Sequence, residues 1–400
     1  MSTYEEVLRA PGVAVTMTAQ LVGRFPVGMY SLGILLHVEQ KFESYAAAGL
    51  VLAALSAGQA LATPVTTRMM SRFGTRRLLL VTTILSALSM FGIAVLHVPL
   101  WVDVALGAAA GLTMPPIAPA VRTLYPRMVA QRQLGPLFAL DATLQELVWV
   151  IGPVAITFLA TSFDTLIGLS IAVAVQLGGG LWFALLPRVG NLRIPPTNKR
   201  MGGVLKKRPV LLVVIVGFLI IGAFAAAEAG VVAVYGHDGP QAGIILAISA
   251  IGSIIGGVLF GHRTITKRSL AIRCVIMAVG FIAAPFVMTF WGLSSAMFVA
   301  GFGCAPAVAA ISAIVAGSVK FADTPEAYGW VNSGQLVGVA LCSALAGIMI
   351  DFVGAGGGLI VGGVSATLGA LIAFIFRRHQ PDLTEGIVEP PPTAPIELPR

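Results

Sequence analysis

Four ionisable residues stand inside otherwise apolar stretches of this 400-residue chain: Arg24, Asp141, Glu146 and Glu228. A charge at the centre of a hydrocarbon layer costs at least about 2.5 kcal/mol, so it is kept with a partner, in a wet cavity, or as a group that carries an ion. The chemistry open to these residues is proton binding, ion pairing and the holding of a charged or polar ligand. Catalysis is not indicated. No phosphate loop, His-rich metal cluster or nucleophile elbow accompanies them. Cys274, Cys304 and Cys342 lie in apolar runs without metal-ligand spacing. The expectation is no enzyme, no metal and no cofactor, with an ion gradient as the source of energy.

Spacing pairs some of these groups. Counting spans from residues 13 and 136, Arg24 lies eleven residues into the first apolar span and Glu146 ten residues into the fifth. Both spans start at the same membrane face, so both side chains sit about 16 Å deep. An Arg and a carboxylate at one depth form either a switch that cargo or a proton can open, or a permanent lock between two helices. Arg122 and Asp141 are equidistant from the turn at Gln131-Arg132, which predicts a hairpin clamp between spans four and five. Asp141 and Glu146, five residues apart, point about 140° from each other and do not form a shared-proton pair. Glu228 has no basic residue of its own half at its depth in span seven. A carboxylate in apolar surroundings favours its neutral form, the property a proton carrier uses. Gln20, one turn before Arg24, Tyr235, two turns after Glu228, and Gln335 in span eleven are supporting candidates. Helix–helix hydrogen bonding is their alternative role.

The elements that position these residues follow from composition. The chain is 57% hydrophobic and only 10% charged, with a mean hydropathy of +0.92. A soluble domain carries about 25% charged residues, so a soluble globular enzyme is excluded. A membrane helix needs about 20 largely apolar residues. Twelve such spans account for the chain, near 13–37, 46–67, 77–97, 101–122, 136–160, 164–187, 209–236, 241–262, 271–291, 293–318, 326–351 and 355–377. Pro115-Pro116 and Pro119 mark span four as bent or broken. With both termini in the cytoplasm, 23 of the 25 Lys and Arg residues fall in inner loops, in termini or at the inner ends of spans; Lys41 falls outside and Arg24 deep within a span. The net charge of +8 is thus a topology signal and not a nucleic-acid patch. The reading is an all-α, multi-pass protein of the cell membrane. It has an N-terminus at 1–12, a six-helix bundle at 13–187, a basic central loop at 188–208, a second six-helix bundle at 209–377 and a disordered tail at 378–400. An offset of 191 residues (332 minus 141) brings Asp141 onto Asn332 and the loop Arg72, Arg76, Arg77 onto Arg263, Lys267, Arg268, as an internal duplication would.

On these residues the chain resembles the major facilitator superfamily of secondary transporters. Their loop after span two commonly reads Gly-x-x-x-Asp-Arg-x-Gly followed by basic residues. Here Thr67 and Ser71 replace the first Gly and the Asp, while Arg72, Gly74, Arg76 and Arg77 match. A gating role of this loop and a purely topological role both fit. Gly152-Pro153 in span five matches the start of the Gly-Pro-x-x-Gly-Gly stretch of the family's antiporters. Asp103 stands near the place of their buried span-four Arg. The resemblance implies two pseudo-symmetric bundles, spans one and five as neighbours, and a cavity lined by spans one, four, seven and ten. It implies alternating access, with a small molecule, protons and the lipid bilayer as partners, and a monomer. Proton-coupled efflux by antiport is the leading expectation. Proton-coupled uptake of a sugar or organic acid is the alternative, with a membrane-embedded enzyme or a transporter-like sensor as readings from other classes.

Overall fold

The computed structural model describes residues 3–196, 200–235, 241–260, 263 and 265–383. Among them, 12 helical segments are long and apolar enough to cross a membrane. A short helix α1 (Thr3–Arg9) precedes the first span, which is α2 (Val13–Arg24) and α3 (Val27–Phe42). Spans two and three are α4 (Tyr45–Phe73) and α5 (Thr75–Val95). Span four is α6 (Leu100–Leu112) and α7 (Ile117–Leu124); spans five and six are α8 (Gln131–Ser162) and α9 (Thr165–Leu185). After a turn of helix, α10 (Pro187–Gly190), the second half comprises α11 (Arg208–Tyr235), α12 (Gln241–Phe260), α13 (Ser269–Ala283), the span α14 (Phe290–Phe302) plus α15 (Cys304–Ser318), α16 (Thr324–Val353) and α17 (Gly356–Ile375).

Helices fit because each span satisfies its own backbone where no water can. The breaks have local causes. Phe25-Pro26 separates α2 from α3, leaving Arg24 as the last residue of α2. The Pro115-Pro116 pair lies in the gap that splits span four, as the sequence indicates. Gly303 divides α14 from α15. Pro136, by contrast, does not start span five: the helix begins at Gln131 and carries Pro136 and Pro153 inside it.

Small residues let backbones approach where apolar side chains gain nothing over lipid. Gly152 packs on Gly28, where a Cβ would come within 2.9 Å of the Gly28 Cα. Gly252 and Gly256, one turn apart, seat α12 on the backbone of Phe298 and Phe302. The tail expected from residue 378 is ordered at its start. Arg377–His379 form a 3-10 turn, Gln380 is buried, and the Leu383 N–H donates to the Ile265 carbonyl at 2.9 Å. The rest of that tail, 384–400, lies outside the described residues, as does Thr197–Lys199 of the central loop.

The halves meet at one end only. α16 is buried on every side from Thr324 to Gly329, but beyond Ser333 only Gly338, Cys342 and Ala346 stay buried. Gly338 and Cys342 face α11. α8 behaves alike: from Leu134 to Thr143 it is largely enclosed, and beyond that only Val148, Gly152 and Ile156 are buried. The closed end carries the basic loops. The far end is open.

Candidate functional site

Asp141 is the hub of a buried polar cluster. Its Oδ1 accepts from Arg24 Nη1 at 3.1 Å, from Gln20 Nε2 at 3.2 Å and from the Tyr125 hydroxyl at 3.0 Å. Its Oδ2 accepts from Arg122 Nε at 3.0 Å. Gln20 Oε1 in turn accepts from Arg24 Nη1 at 2.6 Å. Asp141 is 1% exposed and Arg24 7%. Four donors saturate one carboxylate, and two guanidinium groups leave the cluster with one surplus positive charge.

This arrangement corrects the pairing expected from depth. Arg24 meets Asp141, not Glu146. Because α8 starts at Gln131, Asp141 is ten residues into the helix, level with Arg24, and Glu146 lies more than a turn further on. The Arg122–Asp141 contact expected from the hairpin is present, but it is one arm of a hub that also binds span one. Tyr125, on the 3-10 turn after α7, escaped the sequence reading; its signal was its place three residues, one helical turn, beyond Arg122.

Glu146 points the other way, into the seam between the halves. It accepts a contact from Cys304 Sγ at 3.8 Å and lies beside Ser253. Ser253 receives the Ala305 N–H at 3.1 Å, capping the start of α15. Nearer the basic end the seam tightens. Ser333 donates to the Ala60 carbonyl at 2.6 Å, Gly329 abuts Thr63 and Pro64, and Gly257 faces Thr143. At its end Arg68 pairs with Glu326 at 3.2 Å. Glu326 also accepts the Gly202 N–H at 2.7 Å from the central loop. Glu326 thus brings a carboxylate from α16 to the end of α4, near the motif position where Ser71 replaces the acid. Tyr4 of α1 crosses the seam to the Gly257 carbonyl at 2.9 Å.

Glu228 is exposed. It lines a cavity of about 730 Å³ with Ala225, Val232, Val339 and Ser343, between α11 and α16 on the open side. No other ionisable residue lines it. Two supporting candidates lie elsewhere: the Tyr235 hydroxyl donates to the Met288 carbonyl at 3.0 Å, and Gln335 packs over Gly217 in the contact of α11 with α16. At the open end Lys41, the one basic residue expected outside, pairs with buried Asp103 at 2.6 Å. Among the described residues no group of three His, Cys, Asp or Glu could hold a metal.

The family model of the Major Facilitator Superfamily matches residues 16–262 and again 222–398. The chain belongs to the Major Facilitator Superfamily. Its fold is similar to the crystal structure of a bacterial homologue of the iron transporter ferroportin in the outward-facing state with soaked iron, with a TM-score of 0.75 and 14% identity over 91% of this chain and 98% of that one. It is similar also to FucP, a transporter of the same superfamily, in the outward conformation, with a TM-score of 0.71 and 16% identity over 94% and 99% of the two chains. The human organic anion transporter MFSD10 gives a TM-score of 0.71 and 14% identity over 93% and 100%. No curated protein matches significantly in sequence. Superfamily membership and these folds make the chain a multi-pass membrane protein built for secondary transport.

Proposed function

We propose that this superfamily member is a proton-coupled exporter of the cell membrane, with both termini cytoplasmic, that exchanges protons for a small lipophilic cation. The observation that carries the reading is the placement of Glu228: the one ionisable group on the wall of a largely apolar, open cavity. A cation and a proton compete for such a group, and competition for one site is enough to couple their opposite movements. The positive-inside rule favours a cytoplasmic location for the basic, closed end, and on this reading the open end faces the outside. Glu146 is a second proton candidate, because opening of the seam against Cys304 and Ser253 would admit water to it. Gly152-Pro153 adds the antiporter resemblance.

A second reading has its own observation. The surplus positive charge around Asp141 favours an organic anion, taken up together with protons. Reconstituted vesicles with an imposed pH gradient separate the two. On the first reading, gradient-driven movement of tetraphenylphosphonium is saturable and is lost in Glu228→Gln. Movement that survives this substitution overturns it, and gradient-driven flux of an organic acid indifferent to Glu228→Gln selects the second.

A further inference from the structure

A cavity of about 420 Å³ lies at the basic end, between the turn joining α4 to α5 and the strand of chain after α10. Arg72, Arg76, Arg77 and Arg193 line it, and no carboxylate does. None of the four is in an ion pair among the described residues. Arg76 is held by its Nε and Nη2 on the carbonyls of Ala184 and Leu185, both at 3.3 Å. Thr75 is 2% exposed and lines the same cavity, yet its hydroxyl has no hydrogen-bond partner. A buried polar atom without a partner costs about 1–3 kcal/mol, so a ligand that the Thr75 hydroxyl reaches by a small side-chain shift gains a hydrogen bond.

Thr75 is also the first residue of α5, a helix of 21 residues whose N-cap, Gly74, has φ 84° and offers no side chain to the free N–H groups. Uncapped N–H groups, the positive end of the helix dipole and guanidinium groups lining one cavity together suit a tetrahedral oxyanion. The face of α5 beyond the cavity is apolar and exposed: Val81, Ile84, Leu85 and Leu88 follow Arg77 at helical spacing.

We propose that this cavity binds a phosphate group, and that the phosphate is the headgroup of an anionic membrane lipid whose acyl chain lies along that face of α5. The bound phosphate accepts from the Thr75 hydroxyl and the first N–H groups of α5, and it bridges Arg72 and Arg193. It thereby fastens the central loop to the turn between spans two and three. Free phosphate shares the chemistry but leaves the apolar stripe bare.

Purified full-length protein in detergent is titrated with short-chain phosphatidylglycerol, short-chain phosphatidylcholine or inorganic phosphate, with binding read by intact-complex mass spectrometry. Phosphatidylglycerol is expected to bind saturably. Its affinity should fall severalfold in Thr75→Val and about tenfold or more in the double variant Arg72→Gln/Arg193→Gln. Phosphatidylcholine, whose choline cancels the charge, should bind no better to the wild type than to the double variant. Equal binding of the two lipids, or phosphatidylglycerol affinity unchanged in both variants, overturns the proposal. Inorganic phosphate binding as tightly as phosphatidylglycerol, and lost in the double variant, overturns the lipid as source while supporting the phosphate site. Unliganded melting temperatures matching the wild type show that any loss is not misfolding; these arginines are on the surface, so a match is expected.

Discussion

The two halves share a frame and differ in what fills it. The offset of 191 residues (332 minus 141) carries α8 onto α16, α9 onto α17 and the broken span four onto the span broken at Gly303, each to within a few residues. Along the same offset Gln20 falls on Leu211, Arg24 on Ile215, Arg122 on Ala313, Tyr125 on Ala316 and Asp141 on Asn332. The first half is bolted through a saturated ionic hub. Close backbone contacts occur in both halves, Gly152 on Gly28 in the first and Gly222 on Gly338 in the second, but the second has no counterpart of the hub at the matching positions. Conversely Glu228 falls on His37, which is buried and hydrogen-bonded to Thr165 at 3.1 Å. A charge that is fully partnered builds structure; Glu228, bare in its cavity, is the one we propose for cargo.

That contrast can be broken most sharply at Asp141. Asp141→Ala leaves two buried guanidinium groups without their counter-charge and should cost about 3–5 kcal/mol of stability. Reversible unfolding in mixed micelles measures it, and a loss below about 1 kcal/mol would show that the hub does not hold the first half together. Next in size is Gly329→Val in the seam. Its Cβ would lie 2.9 Å from the Pro64 Cα, a clash worth about 1–3 kcal/mol against the closed basic end. The population open at the far end should fall about fivefold or more. Labelling of Ser343→Cys in the cavity by an impermeant maleimide reports it, and an unchanged rate would mean that the seam does not control opening.

Tyr4→Phe removes the hydrogen bond across the seam and should cost about 0.5–1.5 kcal/mol. Burial raises the Tyr4 phenol above its ordinary pKa of 10.0. Its contribution is therefore complete below about pH 10 and lost as the pH climbs through the raised value. A spectroscopic titration that finds Tyr4 ionising at the ordinary value would remove α1 from the closure. Smallest of all, Glu228→Gln should change stability by no more than about 0.5 kcal/mol while abolishing coupled flux. A large loss of stability there would make Glu228 another bolt.

Much of this was legible from residue order. Hydropathy and loop charge gave the spans, the Pro pair gave the break in span four, and equal distances from a turn gave the Arg122–Asp141 contact. The Arg24 partner differs from expectation for one reason: α8 begins at Gln131 and not at 136, with Pro136 tolerated inside it, and five residues of register exchange Asp141 for Glu146 as the residue level with Arg24. The Arg68–Glu326 pair was out of reach because its members are 258 residues apart. The empty acid position at Ser71, together with an acid at the start of span eleven, was its only trace.

The Lys41–Asp103 pair has a consequence at the open mouth. With its lysine paired, that rim presents Glu43, Asp164 and Asp351 to water. Carboxylates at one rim gather counter-ions by long-range attraction and turn anions away. If the cargo is the cation proposed above, its flux in dilute buffer should exceed that at physiological ionic strength, where the Debye length shrinks to about 8 Å.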